Sequence, residues 1–231
     1  MKYPNITSAT FISRTNRFIA RVLHNGEELL VHVKNTGRCK ELFYPGVKVY
    51  LTHSDNPTRK TAYDLVAVEK ERAGQPPLLI NIDSGMPNEA VAEWLPHSGL
   101  FSDKARITRE HTVGASRFDF YIEDGDRRCY IEVKGATLEE CGVVMFPDAP
   151  TLRGVKHLNE LSHLVSLGHD AYVIFVVAMS GAEYFAPNDI THPEFGEALR
   201  RSAISGVKPL AYECIVTPDS LEIARAIKIK L

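Results

Sequence analysis

The sequence lacks the features that mark several large classes of protein. Its 231 residues contain four cysteines, none of them in a Cys-x-x-Cys pair, and no set of Cys and His has zinc-finger spacing. These cysteines indicate reduced structural thiols rather than a disulfide scaffold. No apolar run approaches the ~20 residues that a membrane helix requires. No signal peptide is evident, so we expect a cytoplasmic protein that does not bind membranes.

The chain also has little net charge, but its charges are unevenly distributed. The formal net charge is −2 at neutral pH. Residues 1–60 hold ten Lys and Arg against four Asp and Glu, whereas residues 86–231 hold fifteen against twenty-one. A basic front half followed by an acidic rear half indicates a polyanionic partner. A basic face that is merely solvated is the alternative interpretation.

The first seventy residues show the pattern of a small β-barrel. Asn25-Gly26 marks a hairpin turn, and a helical turn is predicted near residues 40–43. The predicted strands are residues 6–13, 17–24, 28–34, 47–53 and 61–71. Five strands in this order predict an OB-like barrel. Residues 72–77 are predicted to be a linker or a domain border, so we expect two domains, residues 1–75 and 76–231.

Cationic and aromatic side chains of the predicted barrel suit contacts to a nucleic-acid backbone and stacking on bases. The aromatic candidates for stacking are Phe18 and Tyr44, but for Phe11 and Phe18 we expect a location in the barrel core. The cationic candidates for DNA binding are Arg14, Arg17, Lys34, Arg38 and Lys40. For Lys34 and Arg38, plain solvent exposure is the alternative.

The rest of the chain alternates strands and helices. Thr151 is the predicted N-cap of a helix over residues 152–167, and Gly168 ends it. The other predicted elements are a helix over 87–94, a buried strand over 170–179, a helix over 193–205 and a strand over 209–216. This order predicts an α/β domain with a mixed sheet.

A predicted β-hairpin, residues 117–122 and 129–134, carries the most informative polar residues. Alternation along the strands brings Asp119, Glu132 and Lys134 to one side of the hairpin. Two carboxylates on adjacent strands can share a hard cation such as Mg²⁺, and a nearby lysine can orient the attacking water. A half-buried cross-strand ion pair is the alternative interpretation of these residues.

The order of the elements favours the chemical interpretation. In PD-(D/E)xK nucleases, a hairpin bearing the Asp and the Glu-x-Lys is followed by a helix and then by a buried strand, and the same order is predicted here. At the start of that helix, Arg153 is in reach of a phosphate.

Several motifs in series resemble the SfsA family (sugar fermentation stimulation protein A), and the resemblance covers essentially the whole chain. The motifs are Val33-Lys34-Asn35-Thr36-Gly37-Arg38, Ser116-Arg117-Phe118-Asp119-Phe120, Ile131-Glu132-Val133-Lys134 with Thr137-Leu138, Phe146-Pro147-Asp148-Ala149 with Thr151, Arg153-Gly154 with Lys156-His157-Leu158, and Gly206-Val207 with Ala211-Tyr212.

The resemblance implies a bacterial or archaeal DNA-binding protein with a regulatory role in sugar (maltose) metabolism. It implies an N-terminal OB-like domain and a PD-(D/E)xK nuclease-like α/β domain with a mixed sheet. Asp119, Glu132 and Lys134 match the nuclease core, and Glu110 is the implied fourth acidic member. The implied cofactor is Mg²⁺ or Mn²⁺, held by Glu110, Asp119, Glu132 and the main-chain carbonyl of Val133. From the shared motifs, the candidate DNA contacts also include Asn35, Thr36 and Arg117.

Three functions remain open at this point. The first is sequence-independent DNA binding through the phosphate backbone, with a nuclease-like site that is inert. The second is an active Mg²⁺- or Mn²⁺-dependent endonuclease or phosphodiesterase that uses Glu110, Asp119, Glu132 and Lys134. The third is a sugar- or peptide-binding OB module, which only a few aromatic residues support. Proteins of the nuclease superfamily are often dimeric, so a homodimer is also an expectation.

Overall fold

A computed structural model describes residues 1–35, 37–114 and 116–231 of the chain. The strands of its first half are β1 (Ile6–Arg14), β2 (Ile19–His24), β3 (Glu27–Val33), β4 (Lys48–His53), β5 (Tyr63–Arg72), β6 (Gln75–Asn81), β7 (Arg106–Val113) and β8 (Ser116–Asp124). Those of its second half are β9 (Arg127–Ala136), β10 (Leu138–Glu140), β11 (Val143–Phe146), β12 (Asp170–Val177), β13 (Tyr184–Pro187), β14 (Lys208–Thr217), β15 (Ser220–Ala226) and β16 (Lys228–Ile229).

The helices are α1 (Met86–Trp94), followed directly by the 3₁₀ turn Leu95–His97, then α2 (Leu152–Ser166) and α3 (Pro193–Ile204). Among the residues that the structure describes, no helix combines the length and the apolar character that crossing a membrane requires.

The first five strands form a closed barrel. Strand β1 pairs with β2 and β4, β2 pairs with β3, and β4 pairs with β5. The barrel closes where β3 runs parallel to β5, with His32 opposite Asp64. At the β2–β3 turn, Asn25 and Gly26 have φ angles of 51° and 86°, as a two-residue turn of the mirror-image type requires. These pairings confirm the N-terminal OB barrel.

Two details of the barrel differ from expectation. Phe11 lies in the core, but Phe18 is 49% exposed, so the prediction that places Phe18 in the core is wrong. The predicted linker at residues 72–77 is also wrong. There, β5 ends at Arg72, a tight turn with Gly74 at φ 69° follows, and β6 pairs antiparallel with β5 from Gln75 onward.

The second half of the chain is built on a six-stranded mixed sheet, as predicted. Its order is β15-β14-β12-β9-β8-β7, and the three central strands β14, β12 and β9 are parallel. Residues of α2 and α3 join the apolar cluster on one face, with Val173 and Phe175 of β12. Residues of α1 join the cluster on the opposite face, with Ile174 and Val176. Strand β12 is therefore buried on both sides.

Helix α2 follows the sequence signals closely. The Thr151 hydroxyl accepts a hydrogen bond from the Gly154 amide at 3.0 Å, which confirms the predicted N-cap. Gly168, at φ 88°, follows the last turn. The buried side of the helix is formed by Gly154, His157, Leu158, Leu161 and Leu164. One histidine therefore lies within an otherwise apolar stripe that faces the sheet.

A smaller sheet of four strands, in the order β10-β11-β13-β16, lies beside the main one. The sequence did not predict β10, β13 or β16 as strands. Strands β10 and β16 have three and two residues, too few for alternation to be recognised. Strand β7 was also missed, because its sequence carries charged residues and none of its side chains is fully buried.

A buried ion pair joins the barrel to this smaller sheet. Lys70 of β5 donates to Glu139 of β10 at 2.6 Å, and the two side chains are only 18% and 7% exposed. The second Glu139 oxygen accepts from the Gly142 amide at 2.7 Å. Burial alone would raise the pKa of Glu139, but the Lys70 and Gly142 donors outweigh it and hold that pKa below its ordinary value.

We expect Glu139→Gln to lower the free energy of unfolding by about 3 kcal/mol, because it leaves the Lys70 charge buried without its partner. Glu28→Gln is the matched control. It breaks the pair of Arg21 and Glu28, in which both side chains are about half exposed, and we expect it to cost less than ~1 kcal/mol. Urea denaturation at pH 7 measures both values.

The pH dependence of this difference is a further check. A carboxyl group with a lowered folded-state pKa stabilises the protein above its unfolded pKa, and that contribution disappears as the pH falls through the folded value. The gap between wild type and Glu139→Gln should therefore narrow below about pH 4.3. Equal losses from the two variants at pH 7 would contradict a role for burial.

Candidate active site

The hairpin of β8 and β9 opens where its acidic residues lie. The last laddered pair is Phe120 opposite Ile131, so the next position in the same register would pair Asp119 with Glu132. No ladder pair forms there. Instead, the Val133 amide donates to the Asp119 carboxylate at 2.7 Å. The Asp119 side chain thus replaces a backbone carbonyl as the acceptor for the Val133 amide. The carboxylates of Asp119 and Glu132 both lie where the ladder between the two strands ends.

Glu110 lies on the same register line in strand β7, but its side chain points elsewhere. The β7–β8 ladder skips the pair of Glu110 and Asp119, and Glu110 has φ 55°, in the left-handed region. Its carboxylate is 64% exposed and lies 3.5 Å from Arg117. Three acidic residues therefore stand in line across three strands, but only Asp119 and Glu132 are brought together.

The environment of Glu132 is strongly asymmetric. Its Oε1 accepts from Lys134 Nζ at 2.5 Å and from Nδ1 of His157 on α2. Its Oε2 is buried and has no hydrogen-bond partner among the described residues. Burial would raise the pKa of Glu132, but the hydrogen bonds and charges of His157 and Lys134 outweigh it and lower that pKa. Glu132 is therefore ionised, with one oxygen unpartnered.

The hydrogen bonds of His157 define its tautomer. Arg153 Nε donates to His157 Nε2 at 3.4 Å, so that ring nitrogen is the acceptor. We therefore assign the ring proton to Nδ1, which donates to Glu132. Arg153, one turn earlier in the helix, is exposed. A chain of contacts thus runs from an exposed arginine to a buried carboxylate.

Asp119 is held from both sides of the opening. Its Oδ1 accepts from the side-chain amide of Asn88, on α1, at 2.7 Å, and its Oδ2 accepts from the Val133 amide. Burial raises the pKa of Asp119, and the nearby charge of Glu132 raises it further. Glu132 is buried and Asp119 is half-buried, so two carboxylates that repel each other form a local excess of negative charge.

These features fit a hard divalent cation. Such ions take oxygen ligands, and a carboxylate pair offers them. The buried, unpartnered Oε2 of Glu132 is an acceptor that a cation would satisfy. No group of three His, Cys, Asp or Glu side chains that could hold a metal is present in residues 1–35, 37–114 and 116–231. A third ligand would have to come from Glu110 after its side chain turned inward, or from the backbone near Val133.

The predicted cationic residues of the barrel have different surroundings. Arg14 donates to the carbonyls of Arg17, Gly37 and Arg38, and its guanidinium lies 4.9 Å from the centre of the Phe43 ring. Burial lowers the pKa of Arg14. Arg14 therefore holds two loops together. By contrast, Arg17, Arg38 and Lys40 are exposed around a groove of about 370 Å³.

Two more predicted contacts on the barrel are engaged within the protein. Lys34 pairs at 2.8 Å with Asp83, a nearly fully buried carboxylate. The side-chain amide of Asn35 donates to the Ile82 carbonyl at 2.7 Å and accepts from the Gly37 amide. Thr36 lies outside the described residues.

The barrel and α2 meet at a shared cleft of about 320 Å³. Arg17 and Asn35 line its barrel side, and Asp148 and Thr151 line the other. Thr151 caps the helix whose first turn carries Arg153. The structure therefore brings one exposed cation of the barrel, Arg17, close to the start of the helix that reaches the carboxylate pair.

Sequence reasoning missed two residues of this site, Asn88 and His157. The signal for His157 was available, because it lies three residues after Gly154 and four before Leu161, on the buried stripe of α2. Asn88 gave no such signal. Its role depends on the packing of α1 against the sheet, which periodicity alone does not reveal.

Comparisons with known proteins give a consistent result along the whole chain. The family profile "SfsA N-terminal OB domain" matches residues 12–76, and "Sugar fermentation stimulation protein RE domain" matches residues 85–220. The chain is 52% identical to a sugar fermentation stimulation protein homolog of Desulfitobacterium hafniense (strain Y51), over 100% of this chain and 99% of that protein.

Further relatives agree. A homolog with the same description from Ruminiclostridium cellulolyticum is 47% identical over 100% of both chains. Among solved structures, "The structure of Pyrococcus Furiosus SfsA in complex with Ca2+" matches with a TM-score of 0.85 and 27% identity, over 100% of this chain and 98% of that one.

The coupling of the two carboxylates is testable in the metal-free protein. We expect Glu132→Gln to lower the pKa of Asp119, because it removes a neighbouring negative charge. That pKa should still remain above its ordinary value, since burial is the larger cause. Carboxyl ¹³C NMR titration measures it. Glu110→Gln is the matched control and should leave the Asp119 titration unchanged. An unchanged Asp119 titration in Glu132→Gln would show that the two carboxylates do not interact.

Proposed function

The chain belongs to the SfsA family of sugar fermentation stimulation proteins, and we propose that it is a sequence-independent DNA-binding protein with a divalent-cation site of the PD-(D/E)xK type. The observation that carries this proposal is the buried Oε2 of Glu132, which has no hydrogen-bond partner among the described residues. Lys134 donates to the other oxygen of this carboxylate. Asp119 lies close enough for the charge of Glu132 to raise its pKa. In an ion pair with a purely structural role, a buried carboxylate oxygen normally has a hydrogen-bond partner.

The proposed ligands are Asp119 and Glu132, with the Val133 carbonyl and a reoriented Glu110 completing the set. The relative from Pyrococcus furiosus was solved in complex with Ca²⁺, which supports a divalent ion for this chain. Mg²⁺ or Mn²⁺ is the proposed physiological ion. When bound, such an ion polarises a phosphoryl oxygen and lowers the pKa of a coordinated water.

Lys134 and Arg153 have proposed roles beside the cation. Lys134 lies on the same face of β9 as Glu132, where its ammonium can orient a water for attack on phosphorus and offset charge as the P–O bond breaks. Arg153, exposed at the start of α2, can bind a neighbouring phosphate. The Lys134 ammonium is the feature that favours phosphodiester hydrolysis over inert binding, and we keep an active endonuclease or phosphodiesterase as the second candidate function.

The proposed DNA-binding surface comprises the exposed cations Arg17, Arg38 and Lys40, together with Arg153 in the first turn of the helix that Thr151 caps. Contacts of this kind recognise phosphates and carry no base-specific information, so binding should be salt-dependent and nearly independent of sequence. A regulatory role in sugar metabolism would be exercised through this binding.

Cleavage is tested with labelled single- and double-stranded DNA in Mg²⁺, in Mn²⁺ and in EDTA. If the site is active, we expect metal-dependent cleavage that Glu132→Ala and Lys134→Ala each reduce by at least ~100-fold, because the first removes a ligand of the cation and the second removes the group that orients the water. Glu222→Ala, an exposed residue of strand β15 at the far edge of the sheet, is the control. Retarded but uncut DNA in every lane would reject hydrolysis and leave binding.

DNA affinity separates the two kinds of cation in the barrel. Arg17→Ala should weaken binding about equally for unrelated DNA sequences and reduce the slope of log K against log salt by about 1. Arg14→Ala should chiefly lower the melting temperature, because Arg14 holds the loops through three carbonyls. Arg201→Ala, exposed on α3, is the control. An operator bound orders of magnitude more tightly than random DNA at fixed salt would contradict sequence-independent binding.

A further inference from the structure

We infer that His157 is a positioning residue for the carboxylate pair, and that it holds Glu132 so that Oε2 is presented to a divalent cation. This inference rests on the proposed cation site and assigns a role to a residue that does not itself touch the ion. Its basis is the hydrogen bonding of Glu132 and the packing of α2.

The two oxygens of Glu132 have different surroundings. Both of its donors, Lys134 and His157, are directed at Oε1, and neither is directed at Oε2. A glutamate side chain has three rotatable bonds, and rotation about the last of them exchanges its two oxygens. Two donors directed at one oxygen fix the angle of this torsion, so the unpartnered oxygen has a constant orientation.

The two donors to Glu132 differ in rigidity. Lys134 is part of the same strand as Glu132 and has a long, flexible side chain, whereas His157 comes from a helix and is only 4% exposed. Its ring lies 6.1 Å from the ring of Phe118, which precedes Asp119 in β8. Packing therefore fixes the imidazole in a way that it cannot fix an ammonium at the end of a lysine.

The tautomer of His157 determines which ring nitrogen can donate to Glu132. A neutral imidazole donates from only one nitrogen, and Glu132 requires that this be Nδ1. Arg153 Nε, at 3.4 Å from Nε2, favours this arrangement, since a donor there excludes a proton on Nε2. The Arg153 side chain remains exposed, so its terminal nitrogens can still meet a phosphate. The same helix thus orients the candidate ligand and presents a phosphate-binding group.

Residues that orient the ligands of a metal ion typically change its affinity by 10–100-fold when they are replaced. Calorimetric titration with Ca²⁺ alone, without DNA, measures this affinity independently of any catalysis. We expect His157→Leu, which keeps a similar volume but has no donor, to bind Ca²⁺ 10–100-fold more weakly than wild type. We expect His157→Asn, whose amide nitrogen can take the place of Nδ1, to bind within about 3-fold of wild type.

His163→Leu is the matched control, because His163 lies on the exposed side of the same helix. It should leave the Ca²⁺ affinity unchanged. Circular dichroism and melting temperature establish that each variant is folded at the titration temperature. If His157→Leu does not fold, His157→Gln replaces it, because its amide lies at the position of Nε2 and not of Nδ1.

The outcomes separate this inference from the proposed function. Wild-type affinity in a folded His157→Leu or His157→Gln protein would overturn the inference and leave the cation site standing. Equal losses in His157→Leu and His157→Asn would also overturn it, since the donated hydrogen bond would then not be the cause. If the wild type binds no Ca²⁺, the cation site of the proposed function and the inference fall together.

Discussion

A buried carboxylate in the middle of a sheet is the constraint on which the site depends. An ionised glutamate taken out of water costs several kcal/mol unless donors surround it. Glu132 receives its donors from two directions, Lys134 along its own strand and His157 from α2. For His157 to reach Glu132, α2 must pack against the sheet in one position. The N-cap and the apolar stripe of α2 fix that position. The desolvation cost that these donors do not offset falls on Oε2 of Glu132 and on the neighbouring Asp119.

The opening of the hairpin follows from the same constraint. An uninterrupted ladder would place Asp119 and Glu132 side by side with their backbones paired, and two like charges opposite each other are destabilising. The strands separate there instead, and Asp119 binds the Val133 amide and Asn88. The surrounding apolar clusters on both faces of the sheet hold this arrangement in place.

Much of the fold could be predicted from the sequence, because its elements carry local signals. The N-cap of α2, the Asn25-Gly26 turn and the apolar run of β12 each specify a structure within a few residues. The linker prediction was wrong for a physical reason: Pro76 and Pro77 suggest a break, yet prolines are tolerated in an edge strand such as β6. The hairpin predicts which side chains share a face, but the direction of Glu110 and the contacts of Asn88 and His157 depend on tertiary packing.

The charge asymmetry of the sequence overstates the number of cations that are free for the proposed DNA binding. Several cations of the basic front half are already paired, among them Arg21 with Glu28, Lys48 with Glu69, and Arg59 with Asp64. Arg14 donates its hydrogen bonds to backbone carbonyls. Composition counts all of these equally, whereas only an exposed cation without a carboxylate partner releases counterions from DNA. In the proposed DNA binding, contacts to the backbone therefore depend on a small group of cations at the rim of the barrel, and we propose the cleft shared with α2, rather than the barrel alone, as the path of a phosphate chain.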